Sequence, residues 1–415
     1  MQFLLTPPAR LQGTIHLPAS KSISNRALII HALCGEAPPP QNLSDCDDTF
    51  VMERALNQDP DIIDIKAAGT AMRFLTAYRA VTPGTRLLTG TERMKQRPIG
   101  VLVDALRTLG AHIEYAGEEG FPPLRITGGN YQGGRLSLPG HISSQYISAL
   151  LMIGPILTDG LHLQLTGRII SRPYIDLTLQ LMQEFGAKAD WTDDHCIRVF
   201  PSSYTPRPFY IENDWSAASY WYQMIALSKD EQAEVVLPGL FPASYQGDSA
   251  VQTLFAGLGV KTEFFTDEKG QESLRLKKSG TCNKRLEYDF ISQPDLAQTF
   301  AVTCAMAGIP FRFSGLQSLK IKETDRMTAL INELRKLGYV LGEVEDNILF
   351  WDGERCMPQE HPSIDTYEDH RMAMAFAPCC LTTGEIRIND PHVVSKSYPR
   401  YWEHLQQAGF KLTRQ

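Results

Sequence analysis

Five charges fall within seven positions between Lys320 and Arg326, in the stretch KIKETDR: Lys320, Lys322, Glu323, Asp325 and Arg326. Lys and Arg at a helix start, where the backbone dipole favours Asp and Glu, suit a bound anion better than helix stability. The same chemistry recurs along the chain. Lys21, Ser22 and Arg26 stand in SKSISNR, Gly69 and Thr70 in AGTAMR, and Ser143, Ser144 and Gln145 in SSQYIS. Ser171 opens SRPYIDLT, His370 and Arg371 lie in DHRMAM, and Lys396 lies in VVSKSYP. Backbone N–H groups, short hydroxyls and cations at helix starts are the components of phosphate and carboxylate sites. A serine-rich helix start alone is more often a plain N-cap. Its recurrence with cations attached favours anion binding. Asp295 and Glu323 are the carboxylates set among these cations, and so the candidates for proton transfer. His16, His31, His112, His162 and His404 show no spacing that suggests metal ligation.

The elements that must position these groups repeat. After the charged stretch, Met327, Leu330, Ile331, Leu334 and Leu337 recur at helical steps, which predicts an amphipathic helix. Gly338 then predicts a left-handed stop, and Tyr339 to Val344 a strand. This helix, glycine, strand phrase recurs around Gly110, Gly186, Gly259, Gly338 and Gly409, at steps of 76, 73, 79 and 71 residues. So steady a period implies a copied supersecondary unit. One period before Gly110 the phrase is absent, and the stretch from Asp48 to Ile65 reads as its remnant. The expectation is six repeats, the first shortened by roughly one strand pair. Strands are expected at Leu11 to Leu17, a helix over Lys66 to Ala80, another starting at Pro98, and a hairpin turn at Gly128 to Gly134. The Pro-interrupted segment from Pro201 to Pro208 places a domain junction near Ile211 to Asp214.

The totals bound the class. A chain of 415 residues predicts two domains of about 200 residues. A net charge of −7 argues against a nucleic-acid or membrane-surface partner, so the cation clusters must be local. Eight cysteines without a C-x-x-C predict free thiols in a reducing compartment. The start, MQFLLTPPAR, lacks signal-peptide architecture, and the apolar run from Ile147 to Ile156 is too short to span a bilayer. A cytoplasmic protein without membrane attachment is expected.

Taken together, SKSISNR, AGTAMR, GTERMKQRPIG, SSQYISALLM, SRPYIDLT, PDLAQT, KETDR, DHRMAM and SKSYP resemble the 5-enolpyruvylshikimate-3-phosphate synthase (3-phosphoshikimate 1-carboxyvinyltransferase) family from near the first residue to near the last. The resemblance implies an α/β fold of the inside-out barrel kind, in two domains of three βαβαββ repeats. Their expected extents are 19–211 and 212–415, with residues 1–18 added to the second, and helix starts facing an interdomain cleft. It implies transfer of the enolpyruvyl group of phosphoenolpyruvate to the 5-hydroxyl of shikimate 3-phosphate with release of phosphate. That is a step toward chorismate and the aromatic amino acids, and the family is the target of glyphosate. Shikimate 3-phosphate would be held by Lys21, Ser22, Arg26, Ser143, Ser144, Gln145, Ser171, Tyr174, Asp295, Ser318 and Lys322. Phosphoenolpyruvate would be held by Lys21, Gly69, Arg97, Gln145, Arg326, Arg371 and Lys396. Asp295 would take the 5-hydroxyl proton, Glu323 would deliver one to the methylene carbon, and Lys21 would serve both substrates. The resemblance implies no metal, no organic cofactor, small-molecule partners only, and a monomer.

The chain departs from the family pattern at Ala67, Phe74, Trp215, Ser318 and Glu368, where the family has Asn, Pro, a small residue, Asn and Asn. Two other readings stay open on the residues. The sister transferase acting on UDP-N-acetylglucosamine shares the fold but uses a loop cysteine, which GTERMKQRP lacks. A degenerate anion-binding homologue would keep the cations and lose turnover through the shortened repeat.

Overall fold

The computed structural model describes residues 1–35, 38–268 and 270–415, with the side chains of residues 281 and 321 excepted. It is a mixed α/β structure that divides into two compact units, Ala19–Ile211 and Met1–Pro18 with Glu212–Gln415. Each unit has its own apolar core.

Strand residues alternate in burial where one sheet face is covered. Leu161, Leu163 and Leu165 are buried along Leu161–Thr166, while the residues between them are not. Among the described residues five four-stranded sheets result, and all five share one wiring. A first strand pairs parallel with a second, the second antiparallel with a third, and the third antiparallel with an edge strand. In Ala19–Ile211 these are Ile62–Asp64, Thr85–Thr89, Leu124–Thr127 and His112–Tyr115. The second sheet there is Gly134–Pro139, Leu161–Thr166, Cys196–Val199 and Ala189–Trp191. In the other unit, Leu286–Asp289, Phe311–Ser314, Ile348–Trp351 and Gly342–Val344 follow the same order. The chain's first residues complete two further sheets. Gln12–Thr14 lies parallel to Glu234–Pro238, and Gln2–Thr6 inserts between Ile386–Asn389 and Lys411–Arg414.

Each of the five repeat glycines has positive φ: 101° at Gly110, 83° at Gly186, 81° at Gly259, 90° at Gly338 and 92° at Gly409. Here the chain reverses from helix to strand through a left-handed residue, which costs a residue with a Cβ more than it costs glycine.

Several expected elements are corrected. Gly128 to Gly134 is no hairpin: it joins Leu124–Thr127 to Gly134–Pro139, which lie in different sheets. Pro98 does not open a helix; that helix is Gly100–Thr108, with Ile99 before it. The helix expected from Lys66 begins at Gly69 and runs to Val81. The strand after Gly338 is only Gly342–Val344, and the one expected over Leu11 to Leu17 is only Gln12–Thr14. The first repeat keeps the helices Lys21–Cys34 and Asp47–Gln58. Among the described residues it has no sheet of its own, only a single parallel bridge between Gln41 and Tyr210. Ile62–Asp64, at the end of the expected remnant, instead opens the next sheet.

Candidate active site

The C-terminal unit brings most of its candidate residues into one ionic cluster. Arg326 is the first residue of the Arg326–Lys336 helix, and Asp325 caps that helix by accepting from the Thr328 N–H. Met327, Leu330 and Leu334 anchor the helix in the core, which fixes where the buried Arg326 guanidinium points. Its Nε donates to Asp369 Oδ2 at 2.7 Å, Nη1 to Asp295 Oδ1 at 3.1 Å, and Nη2 to Glu323 Oε2 at 3.0 Å. A longer contact of 3.4 Å joins Nη2 to Asp369 Oδ1. Arg371 donates to Asp295 Oδ2 at 2.9 Å, Lys322 Nζ lies 3.6 Å from Asp295, and Lys396 Nζ donates to Glu323 Oε1 at 2.7 Å. Burial by itself would depress Arg326, but Asp369, Glu323 and Asp295 outweigh it and hold the guanidinium above its ordinary range.

Four cations thus face three carboxylates, and the two candidate proton carriers are the ones that reach water. Asp295 and Glu323 keep 20% and 16% of their side-chain surface, against 0% for Asp369. Burial would raise the Asp295 carboxyl, yet Arg371, Lys322 and Arg326 hold it well below the usual carboxylate range. Asp295 is therefore a weak base while its cations are otherwise unoccupied. An anion that shares those cations weakens their hold and makes Asp295 a stronger base.

Two of these positions do not lie at helix starts. Lys396 ends the 3-10 turn Pro391–Lys396, and Lys322 follows the 3-10 turn Gln317–Ile321 that contains the half-buried Ser318. Asp369 is a residue the sequence reading missed. It caps the His370–Phe376 helix, accepting from the Arg371 N–H at 2.9 Å. The signal was present, since an Asp directly before an apolar helical run is an N-cap.

The Ala19–Ile211 unit holds smaller groupings. Lys21 opens the Lys21–Cys34 helix, and its Nζ lies 3.4 Å from Asp48 Oδ2, a second residue not singled out from sequence. Gly69 opens the Gly69–Val81 helix. A Cβ added there would stand 2.8 Å from Arg97 Nη1, so the absent side chain is what lets the guanidinium approach the helix start. The Arg97 side chain has no hydrogen-bond or ion-pair partner among the described residues, which leaves all its donors available. Gln145 donates to Thr70 Oγ1 at 3.1 Å, tying the Ser144–Ile153 helix start to this one. Ser143 caps the Ser144–Ile153 helix, and Ser144 is buried. Ser171 precedes the Arg172–Glu184 helix with φ 54° and is likewise buried.

Arg26 behaves differently from an open ligand-binding cation. It is 3% exposed. Nε donates to Thr178 Oγ1 at 2.7 Å, Nη1 to the Ser22 carbonyl at 2.9 Å, and Nη2 to Ser148 Oγ at 3.1 Å and the Tyr174 carbonyl at 3.3 Å. No carboxylate faces it among the described residues, and burial pulls it down to about 10. Its guanidinium carbon lies 5.2 Å from the centre of the Phe74 ring. Phe74, the departure from the family's Pro, thus offers a π face to a buried charge that has no carboxylate partner among the described residues.

Among the described residues, no group of three or more His, Cys, Asp and Glu is placed to hold a metal ion, and no helix is long and apolar enough to cross a membrane.

The family model of EPSP synthase (3-phosphoshikimate 1-carboxyvinyltransferase) matches residues 5–58 and 52–405. A 3-phosphoshikimate 1-carboxyvinyltransferase of Bacteroides fragilis is 62% identical over 412 residues, covering 99% of both chains. One from Vibrio cholerae is 36% identical over 431 aligned positions, covering 97% of this chain and 98% of its own. Solved EPSP synthase structures from Acinetobacter baumannii share the fold, with TM-scores of 0.79 and 0.78 at 21% identity over 100% of both chains. With a profile spanning nearly all of the sequence and relatives matched end to end, this chain belongs to the EPSP synthase family.

Proposed function

We propose that this protein transfers the enolpyruvyl group of phosphoenolpyruvate to the 5-hydroxyl of shikimate 3-phosphate and releases phosphate. The observation that carries the reading is the pair Asp295 and Glu323, both partly open to water and both held by cations within 3.6 Å. Two trianionic substrates need such cations, and a carbon-protonating addition needs two proton carriers near one another.

Arg371, Arg326 and Lys396, with Arg97 and the Gly69 backbone, hold phosphoenolpyruvate; Lys21 and Gln145 serve both substrates. Ser22, Ser143, Ser144, Ser171, Ser318 and Lys322 hold shikimate 3-phosphate, with Tyr174 beside its ring. Arg26 acts by bracing the Ser22 and Tyr174 carbonyls. The substrate anions draw on the cations around Asp295, and its proton affinity rises as they bind. Asp295 then accepts the 5-hydroxyl proton as the oxygen attacks C2, while Glu323 delivers a proton to C3. The product is a tetrahedral ketal phosphate. Loss of a C3 proton and of phosphate restores the double bond, now on the shikimate ring.

The repeated strand wiring supports the inside-out barrel reading, three βαβαββ repeats to a domain with the first shortened. The domains are then 19–211 and 212–415 with residues 1–18, in a cytoplasmic monomer.

Phosphate release with each substrate omitted in turn tests the proposal. Release that requires both substrates supports it. Release from phosphoenolpyruvate alone, or none from the pair, contradicts it.

A further inference from the structure

Glu333 stands seven residues after Arg326 on the Arg326–Lys336 helix, and positions so spaced share a face about 10 Å apart along the axis. The side chain is fully buried, an uncommon place for a carboxylate unless its oxygens are occupied. They are. Oε2 accepts from the Asp365 backbone N–H at 3.0 Å and lies 2.7 Å from Lys336 Nζ, while Oε1 accepts from the Tyr367 hydroxyl at 2.6 Å. Lys336 also donates to the Asp365 carboxylate at 2.8 Å and to the Ser363 carbonyl at 3.0 Å.

One helix therefore grips the 365–369 segment at both ends, Glu333 at Asp365 and Tyr367, Arg326 at Asp369. Between the grips, Tyr367 and Glu368 have φ of 54° and 56°. Neither is a Gly or Asn, so a left-handed pair here is strained and persists only because its surroundings enforce it. The bend leads directly into Asp369, which caps the next helix, and Arg371, which reaches Asp295.

We propose that Glu333 is a positioning residue: it enforces the Tyr367–Glu368 bend that sets Asp369 and Arg371 against Arg326 and Asp295, and it touches no substrate. The proposal rests on the reading that Arg371 and Arg326 hold phosphoenolpyruvate. It predicts that loosening the bend weakens phosphoenolpyruvate and spares shikimate 3-phosphate, most of whose proposed ligands lie elsewhere in the chain.

The test compares full-length wild type with Glu333→Ala, Glu333→Gln, Tyr367→Phe and the double variant Glu333→Ala with Glu368→Gly. Phosphate-release kinetics give the KM for phosphoenolpyruvate, and titration calorimetry gives the Kd for shikimate 3-phosphate. Glu333→Ala raises that KM about tenfold and Tyr367→Phe about threefold, with the Kd within about twofold of wild type. Glu333→Gln stays within about twofold, because its oxygen can serve Asp365 and Lys336 while its amide donates to the Tyr367 oxygen. Glu368→Gly recovers about half of the Glu333→Ala loss, because glycine adopts the bend without strain. A purely structural role lowers thermal stability without this selectivity or this recovery. A KM unmoved in both Glu333→Ala and Tyr367→Phe overturns the proposal, as does a Glu368→Gly change that recovers nothing. If Glu333→Ala does not fold, Tyr367→Phe with and without Glu368→Gly decides by the same criteria. A wild type that never releases phosphate refutes the functional reading; an active wild type with unmoved variants refutes the positioning role alone.

Discussion

Arg326→Lys keeps a positive charge and removes a fork. The guanidinium reaches three carboxylates through three nitrogens, in four contacts of 2.7, 3.0, 3.1 and 3.4 Å. An ammonium gathers its three donors on a single nitrogen at shorter reach, and from there it should reproduce only two of those four contacts. At least two charge-assisted contacts are lost, each worth about 1.5 kcal/mol or more, so the C-terminal unit should lose about 3 kcal/mol. For a unit of this size each kcal/mol moves the midpoint by about 2–4 °C, which places the drop at about 6–12 °C. Scanning calorimetry at neutral pH reads it directly. Arg326→Met, which also leaves the carboxylates uncompensated, should fall further, since breaking a buried pair costs about 3–5 kcal/mol. A midpoint within about 2 °C of wild type for Arg326→Lys would refute the reasoning, because charge alone, and not the fork, would then hold the cluster.

Three further outcomes follow from the same geometry. Asp295→Asn and Glu323→Gln should each lower kcat about a hundredfold or more without raising the KM for phosphoenolpyruvate, since each removes a negative charge from a cluster already rich in cations; a normal kcat removes that residue from the mechanism. Gly69→Ala sets a Cβ 2.8 Å from Arg97 Nη1, so it should raise the KM for phosphoenolpyruvate while the Kd for shikimate 3-phosphate holds, and an equal loss of both would contradict the assignment of Arg97. His404 is buried, its Nδ1 shares a hydrogen bond with the Tyr398 hydroxyl at 2.7 Å, and its pKa is lowered from 6.5 to about 4, chiefly by burial and then by Arg400. The fold therefore favours neutral His404, and this stability is present above pH 6.5 and lost as pH falls toward 4; the difference is about 3 kcal/mol, seen as a fall in urea midpoint that His404→Gln should lack.

Much of this could be read in the sequence because it rests on local physics. The repeat glycines announced themselves by spacing, and each occupies a left-handed turn. Asp295, Glu323, Arg326 and Arg371 stood out as charges where a core pattern would have none, and they share one ionic cluster. What escaped depends on contacts distant in sequence. Glu333 reads as an exposed position among Leu330, Ile331 and Leu334, and only Asp365 and Tyr367, more than thirty residues away, make it a buried one. Gly128 to Gly134 has hairpin composition, but which sheet each flanking strand joins is decided by core packing. Phe74 stood out only as a departure from the family pattern; it is a core residue lying under Arg26.

The central claim is that Glu323 and Asp295 move protons between oxygen and carbon, and turnover in D2O tests it most directly. Delivery of a solvent-derived proton to C3, followed by loss of one from the same carbon, should leave deuterium in the enolpyruvyl methylene of the product. Mass spectrometry of the product should show it for wild type, and Glu323→Gln should show about a hundredfold slower incorporation. Product formed at the wild-type rate with no deuterium at that carbon would contradict the account, because the enolpyruvyl group would then have moved without passing through a protonated C3.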